Sequence, residues 1–104
     1  MNNAPLISII TVCYNSIATI EKTIVNTLKQ TYSNIEYIVV DGASTDGTIE
    51  ILDKYKSKIK YISEPDKGIY DAMNKGLKMA TGEWVLFRNS GDYFNTPDIL
   101  NSVF

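Results

Sequence analysis

The sequence predicts an α/β layered fold, a mainly parallel sheet with flanking helices. Three observations lead there. Short β-branched runs alternate with segments whose apolar residues recur at helical spacing. The first run, from Leu6 to Tyr14, is almost continuously apolar, as expected of a strand covered on both faces. Strand, helix and strand then repeat three times, which implies parallel strands joined by right-handed crossovers.

Each element has its own signal. Leu6 to Tyr14 is the first strand. Ile17, Ile20, Ile24 and Leu28 predict the first helix, with Glu21 in its first turn. Ile35 to Val40 is the second strand. Thr48, Leu52, Tyr55 and Ile59 outline a second helix, introduced by the cap-forming Ser44, Thr45 and Asp46. Ile59 to Ile62 reads as a short third strand. Ile69 to Ala80 is helical, with Ile69, Met73, Leu77 and Ala80 expected on the buried face and Gly82 as the stop signal. Trp84 to Phe87 is the fourth strand. Thr96-Pro97 then opens a further helix, proline fitting the first helical position.

Composition narrows the chemistry. At 104 residues the chain accommodates one domain. Ten basic against twelve acidic residues give a net charge of −2, which offers no basic footprint for nucleic acid. There is no His, which removes the Ser-His-Asp triad and almost every transition-metal site. The single Cys13 precludes an internal disulfide. The apolar runs fall far short of the ~20 residues that span a bilayer, and no signal peptide is visible. The expectation is a cytoplasmic domain whose chemistry comes from carboxylates, amides, hydroxyls and Lys.

In such sheets ligands bind outside the carboxyl ends of the strands. The loops of interest are therefore Tyr14 to Ser16, Asp41 to Asp46, Glu64 to Gly68 and Asn89 to Asp92. None contains a dinucleotide fingerprint, a P-loop or a nucleophile elbow. A receiver-type domain would need an acidic pair where Tyr14-Asn15-Ser16 stands. Asp41 either accepts hydrogen bonds from a nucleoside or satisfies its own turn beside Gly42 and Ser44. Asp92 either holds Mg²⁺ or Mn²⁺ with help from the Asn89 carbonyl oxygen, or belongs to a plain N-S-G-D turn. Lys67, Asp71 and Lys75 form a charged stripe along one edge of the third helix, by default a solvated one. Tyr14, at the mouth of the sheet, is placed to stack on a base.

Six segments in order carry a resemblance: Ile9 to Asn15 (IITVCYN), Gln30 to Gly42 (QTYSNIEYIVVDG), Ser44 to Thr48 (STDGT), Ser63 to Gly76 (SEPDKGIYDAMNKG), Ala80 to Trp84 (ATGEW) and Asn89 to Asp92 (NSGD). Together they resemble the amino-terminal half of family 2 glycosyltransferases, in particular the bacterial branch that builds O-antigen and capsular polysaccharides. The resemblance runs from about Leu6 to Phe104. It implies a Rossmann-like GT-A fold that binds a nucleotide-diphospho-sugar, a UDP-sugar at the level of the family. It also implies a saccharide or lipid-linked acceptor and a location at the inner face of the membrane.

The resemblance assigns roles by position. Thr11, Tyr14 and Asn15 fall on the first loop, where Thr11 and Tyr14 match positions lining the base. Asp41 matches the acid that hydrogen-bonds the nucleoside. Lys67 and Asp71 belong to the stretch bordering the diphosphate and donor sugar. Asn89 opens the counterpart of the D-x-D motif, and Asp92 matches its metal-binding carboxylate, implying Mg²⁺ or Mn²⁺. Arg88 replaces a residue usually apolar there and reads either as an edge residue reaching solvent or as a phosphate contact. The catalytic base is expected beyond Phe104, in an acceptor half. The chain alone is therefore expected to bind donor without turnover, and to self-associate through an uncovered sheet edge and through Ile99, Leu100, Val103 and Phe104. Two alternatives are a non-catalytic nucleotide-binding module and a nucleotidyltransferase. The latter would want a glycine-rich, basic loop after the first strand.

Overall fold

The computed structural model describes residues 5–89. Within them lie four parallel strands and three helices: β1 (Ile7–Cys13), α1 (Ile20–Leu28), β2 (Ile35–Asp41), α2 (Thr48–Lys54), β3 (Lys60–Ser63), α3 (Ile69–Met79) and β4 (Trp84–Asn89). The helix expected at Thr96-Pro97 lies outside the described residues.

The strands run in the order β3-β2-β1-β4, and every neighbouring pair is parallel. Buried β-branched side chains on both faces explain this. Ile7, Ile9 and Cys13 of β1 pack with Tyr37 and Val39 of β2 under Ile20 and Ile24 of α1 and Leu52 of α2. On the opposite face Ile10, Ile38 and Val40 meet Ala72 of α3. The chain thus builds outward from β1 to β3 with helices on one face, then crosses the other face through α3 to place β4 beside β1. The order of winding reverses between β1 and β4, which opens a crevice outside their carboxyl ends.

Two helix boundaries and the buried face of a third helix differ from the sequence reading. Helix α1 begins at Ile20 rather than near Ile17, because Ser16 to Thr19 form a turn in which the Ser16 carbonyl accepts from the Thr19 and Ile20 amides. Helix α2 ends at Lys54; turns from Tyr55 to Lys58 carry the chain to a buried Ile59 that belongs to neither helix nor strand. The apolar stripe of α3 is rotated from the expected face. Ile69 is 50% and Leu77 44% exposed, while Ala72 and Gly76 are buried. The helix approaches the sheet so closely that a Cβ on Gly76 would come within 2.5 Å of Ile10 Cγ2. Only small residues fit that contact, whatever their hydrophobicity. Gly82 is likewise not a left-handed helix stop. A Cβ there would sit 2.8 Å from the Leu6 carbonyl oxygen and 2.8 Å from the Ser8 nitrogen, so glycine lets the α3–β4 turn lie against β1.

A buried acid fastens the amino-terminal end of the sheet. Glu36 accepts from Ser8 Oγ at 2.7 Å, Lys60 Nζ at 2.6 Å, the Thr81 amide at 2.8 Å and the Thr81 hydroxyl at 2.9 Å. Ser8 Oγ in turn accepts from the Gly82 amide at 2.9 Å. One carboxylate therefore joins β1, β2, β3 and the α3–β4 turn. Burial alone would raise its pKa, but the hydrogen bonds from Lys60, Thr81 and Ser8 outweigh burial and hold it at about 2.

Candidate functional site

The crevice between β1 and β4 is a cleft of about 350 Å³ lined by Val12, Cys13, Tyr14, Ser16, Asp66, Gly68, Ile69, Ala72 and Asn89. It brings together the carboxyl ends of β1 and β4 and the loop entering α3. A larger groove runs along the outer face of α1, between Ile17 and Lys29, away from the strand ends.

The loop after β1 forms one rim of the cleft and is bonded to the loop after β2. The Asn15 amide donates to Ser44 Oγ at 2.8 Å, and the Thr45 amide donates back to Asn15 Oδ1 at 2.8 Å. The Ser16 amide donates to Thr48 Oγ1 at 2.9 Å, and the Ile17 amide to Asp46 Oδ2 at 3.1 Å. Asp46 also accepts from the Thr48 amide and hydroxyl. These bonds lower its pKa, that from the Thr48 side chain most. The arrangement holds two non-glycine residues at positive φ, Asn15 at 46° and Ala43 at 65°. Asn tolerates that conformation; for Ala it costs about 1 kcal/mol, which the surrounding bonds offset.

The residues anticipated from sequence divide into two groups. Tyr14 (62% exposed) and Asn89 stand at the cleft. Thr11 and Asp41 do not reach it, both being fully buried. Thr11 Oγ1 shares a 2.8 Å hydrogen bond with the Tyr37 hydroxyl, on the α1 side of the sheet. Asp41 is spent on its own turn and its neighbours. Oδ1 accepts from Ser44 Oγ at 2.5 Å and Cys13 Sγ at 3.4 Å; Oδ2 accepts from the Ser44 amide at 2.8 Å and Ser63 Oγ at 2.8 Å. Of the two readings open for Asp41, this geometry is that of the satisfied turn. Burial, and then the neighbouring Asp41 charge, push the Cys13 thiol far up, so it stays protonated.

The loop entering α3 holds its shape through the charged stripe. Asp71 Oδ2 accepts from the Lys67 amide at 2.9 Å, and this bond, more than Lys75, draws its pKa down. Lys75 is not a solvated residue. Its side chain is 20% exposed, and its ammonium donates to the Pro65 carbonyl at 2.8 Å and pairs with Glu64 at 3.1 Å and Asp71 at 3.5 Å. Asp66, at the cleft, belongs to a loop and a stretch singled out in sequence but carries no role of its own there, and the clamp was missed. The only available signal was the i, i+4 spacing of Asp71 and Lys75. Arg88 is half-buried beside Ile69 and Phe87.

Among the described residues no group of three or more His, Cys, Asp or Glu side chains could hold a metal ion. Asn89, the first residue of the expected metal motif, does reach the cleft. Its amide oxygen suits a hard cation such as Mg²⁺ or Mn²⁺. Asp92 lies outside the described residues. No described helix is long and apolar enough to cross a membrane.

A model of glycosyl transferase family 2 matches residues 8–102. Among curated relatives, the Escherichia coli UDP-Glc:alpha-D-GlcNAc-diphosphoundecaprenol beta-1,3-glucosyltransferase WfaP is 43% identical, covering 94% of this chain and 40% of the relative. The chain spans about two fifths of the length of the curated relatives it matches. Among solved structures, the mannosyltransferase PcManGT of Pyrobaculum calidifontis, in complex with GDP-Man and Mn²⁺, superposes with a TM-score of 0.88 at 29% identity, covering 95% of this chain and 31% of that one. S. aureus TarS, in complex with UDP-GlcNAc, gives 0.84 at 34% identity, covering 94% and 30%.

Proposed function

The chain belongs to glycosyl transferase family 2, and from that premise we propose that it forms the donor-binding part of a glycosyltransferase of bacterial surface polysaccharide synthesis. The donor is a nucleotide-diphospho-sugar and the acceptor a saccharide or lipid-linked saccharide. WfaP, named for a diphosphoundecaprenol-linked substrate, and TarS, solved with UDP-GlcNAc, support those classes. A lipid-linked acceptor places the protein at the cytoplasmic face of the membrane. The observation that carries the reading is the convergence of Tyr14, the amino-terminal turn of α3 and Asn89 on one crevice at the reversal of winding.

Each group has a task there. The exposed ring of Tyr14 stacks on the base. Amides in the first turn of α3 face the diphosphate, with Lys67 at its edge and Asp71 fixing that turn. Asn15 and Asp41 hold the rim without touching the ligand, and Thr11, bonded to Tyr37 in the core, does not reach it. Asn89 and Asp92 would hold a divalent cation, which when bound would supply Lewis-acid neutralisation of the departing diphosphate. The acceptor hydroxyl attacks opposite the leaving group in a single inverting displacement, and its base belongs to the acceptor-binding part, so the 104 residues alone bind donor without transferring sugar.

Calorimetry of UDP with and without Mn²⁺, on the wild type and Asp92→Ala, tests the reading. Mn²⁺ is expected to tighten binding to the wild type by about tenfold and to leave Asp92→Ala unchanged. Equal affinity under all four conditions would defeat it.

The proposal extends to self-association. Phe87 on β4, an edge strand among the described residues, is exposed and lines one groove with the exposed Ile69 and Tyr70 of α3. An apolar patch beside an open edge favours pairing with a second copy. The sequence candidates Ile99, Leu100, Val103 and Phe104 lie outside the described residues. Light scattering is expected to give a dimer or larger species at micromolar concentration; a strict monomer would contradict it.

A further inference from the structure

With the donor reading above as its premise, we infer that Asp66 is the carboxylate that reads the base, and that it selects a base presenting a single imide N–H, as uracil does. Asp41 is closed to any ligand, being fully buried with both oxygens already accepting. The next residue, Gly42, has no side chain, and the space above it holds Asp66 from another loop. A Cβ built on Gly42 would lie 2.8 Å from Asp66 Oδ2 and 3.4 Å from Tyr14 Cδ1. A carboxylate oxygen therefore stands beside the ring on which the base stacks, in the cleft that Asp66, Tyr14 and Asn89 share.

The carboxylate is held there. Its Oδ1 accepts from the Gly68 amide at 3.0 Å, and Lys75 fastens the same loop through the Pro65 carbonyl at 2.8 Å. Oδ2 accepts from no described residue. An ionised carboxylate only accepts hydrogen bonds. Uracil offers one donor, N3–H, between two carbonyls, which matches one available oxygen. Cytosine places an acceptor nitrogen at that point and is repelled. Guanine presents two adjacent donors, N1–H and the N2 amino group, which pair best with both oxygens of a carboxylate side by side, whereas here Oδ2 stands beside Tyr14 and Oδ1 is turned to the Gly68 amide. A site that hydrogen-bonds one edge of a base discriminates against a ligand that leaves the half-buried carboxylate unpaired or facing an acceptor.

Titrations of UDP, CDP and GDP in the presence of Mn²⁺ test the assignment on the wild type, Asp66→Asn and Gly42→Ala. The wild type is expected to prefer UDP over both CDP and GDP by about tenfold or more. In Asp66→Asn the amide oxygen keeps the Gly68 bond and the amino group replaces Oδ2. UDP should then weaken by about tenfold while CDP tightens, since the new donor meets the cytosine N3. Gly42→Ala should displace the carboxylate, weakening UDP with no gain for CDP. It decides the matter if Asp66→Asn does not fold. An unchanged UDP-to-CDP ratio in Asp66→Asn, or undiminished UDP binding by Gly42→Ala, overturns the role of Asp66. A wild type that prefers GDP overturns the base assignment and leaves the donor reading standing. A wild type that binds no nucleoside diphosphate overturns both.

Discussion

Asp41→Ala is expected to destabilise the protein by about 3 kcal/mol and to weaken uridine binding by about tenfold or more, although the carboxylate touches no ligand. The Ser44 amide is a fixed donor bonded to Oδ2; left buried without an acceptor it costs about 1–3 kcal/mol. The hydroxyls of Ser44 and Ser63 lose their acceptor as well, and Ala43 is no longer held at positive φ. The rim then relaxes, and with it the seat of Tyr14. Chemical denaturation gives the first quantity and an NMR titration with uridine the second. Asp41→Asn keeps one acceptor oxygen and should lose about 1 kcal/mol. If Asp41→Ala matches the wild type in both measurements, Asp41 organises nothing.

Glu36→Ala is expected to cost about 3 kcal/mol, a fall in midpoint temperature of about 15 °C for a domain of this size. The loss is far from the cleft. Four donors from β1, β3 and the α3–β4 turn converge on this carboxylate. Its pKa of about 2 lies below the ordinary 4.5, so the native state favours the ionised form. The corresponding stability is complete above pH 4.5 and is lost as pH falls towards 2. The exposed Lys60 end of the network is screened by solvent, so the acid-sensitive part is about 2–3 kcal/mol. Denaturation midpoints should drop over that range for the wild type and stay flatter for Glu36→Gln. Parallel curves would show that the network does not titrate as described.

The strand–helix alternation was legible because β-branched runs and helical spacing are local signals. The ligand-binding edge was legible too, since it follows from parallel topology. Long-range features were not. Nothing near Glu36 in the chain indicates that Thr81, 45 positions away, will donate to it twice. The face of α3 was misjudged because large apolar side chains suggest the interior, whereas a helix this close to a sheet buries Ala72 and Gly76 and leaves Ile69 and Leu77 outside. Helix α1 starts late because Ser16 to Thr19 form a turn closed on the Ser16 carbonyl. Asp41 was recognisable as important. Its oxygens turn inward, however, and Asp66, one residue among several in the Glu64 to Gly68 loop, takes the open position.

The reciprocal bonds between the loops after β1 and β2 bear on how this protein tolerates recombination. Asn15, Ser16 and Ile17 on one side and Ser44, Thr45, Asp46 and Thr48 on the other exchange four hydrogen bonds. A graft that imports either loop alone from a relative brings backbone amides that meet no acceptor and a left-handed residue that nothing holds. A graft that imports both carries its own fastenings. The two segments, about thirty positions apart in the chain, form one heritable module, and chimeras cut between them inherit half a latch.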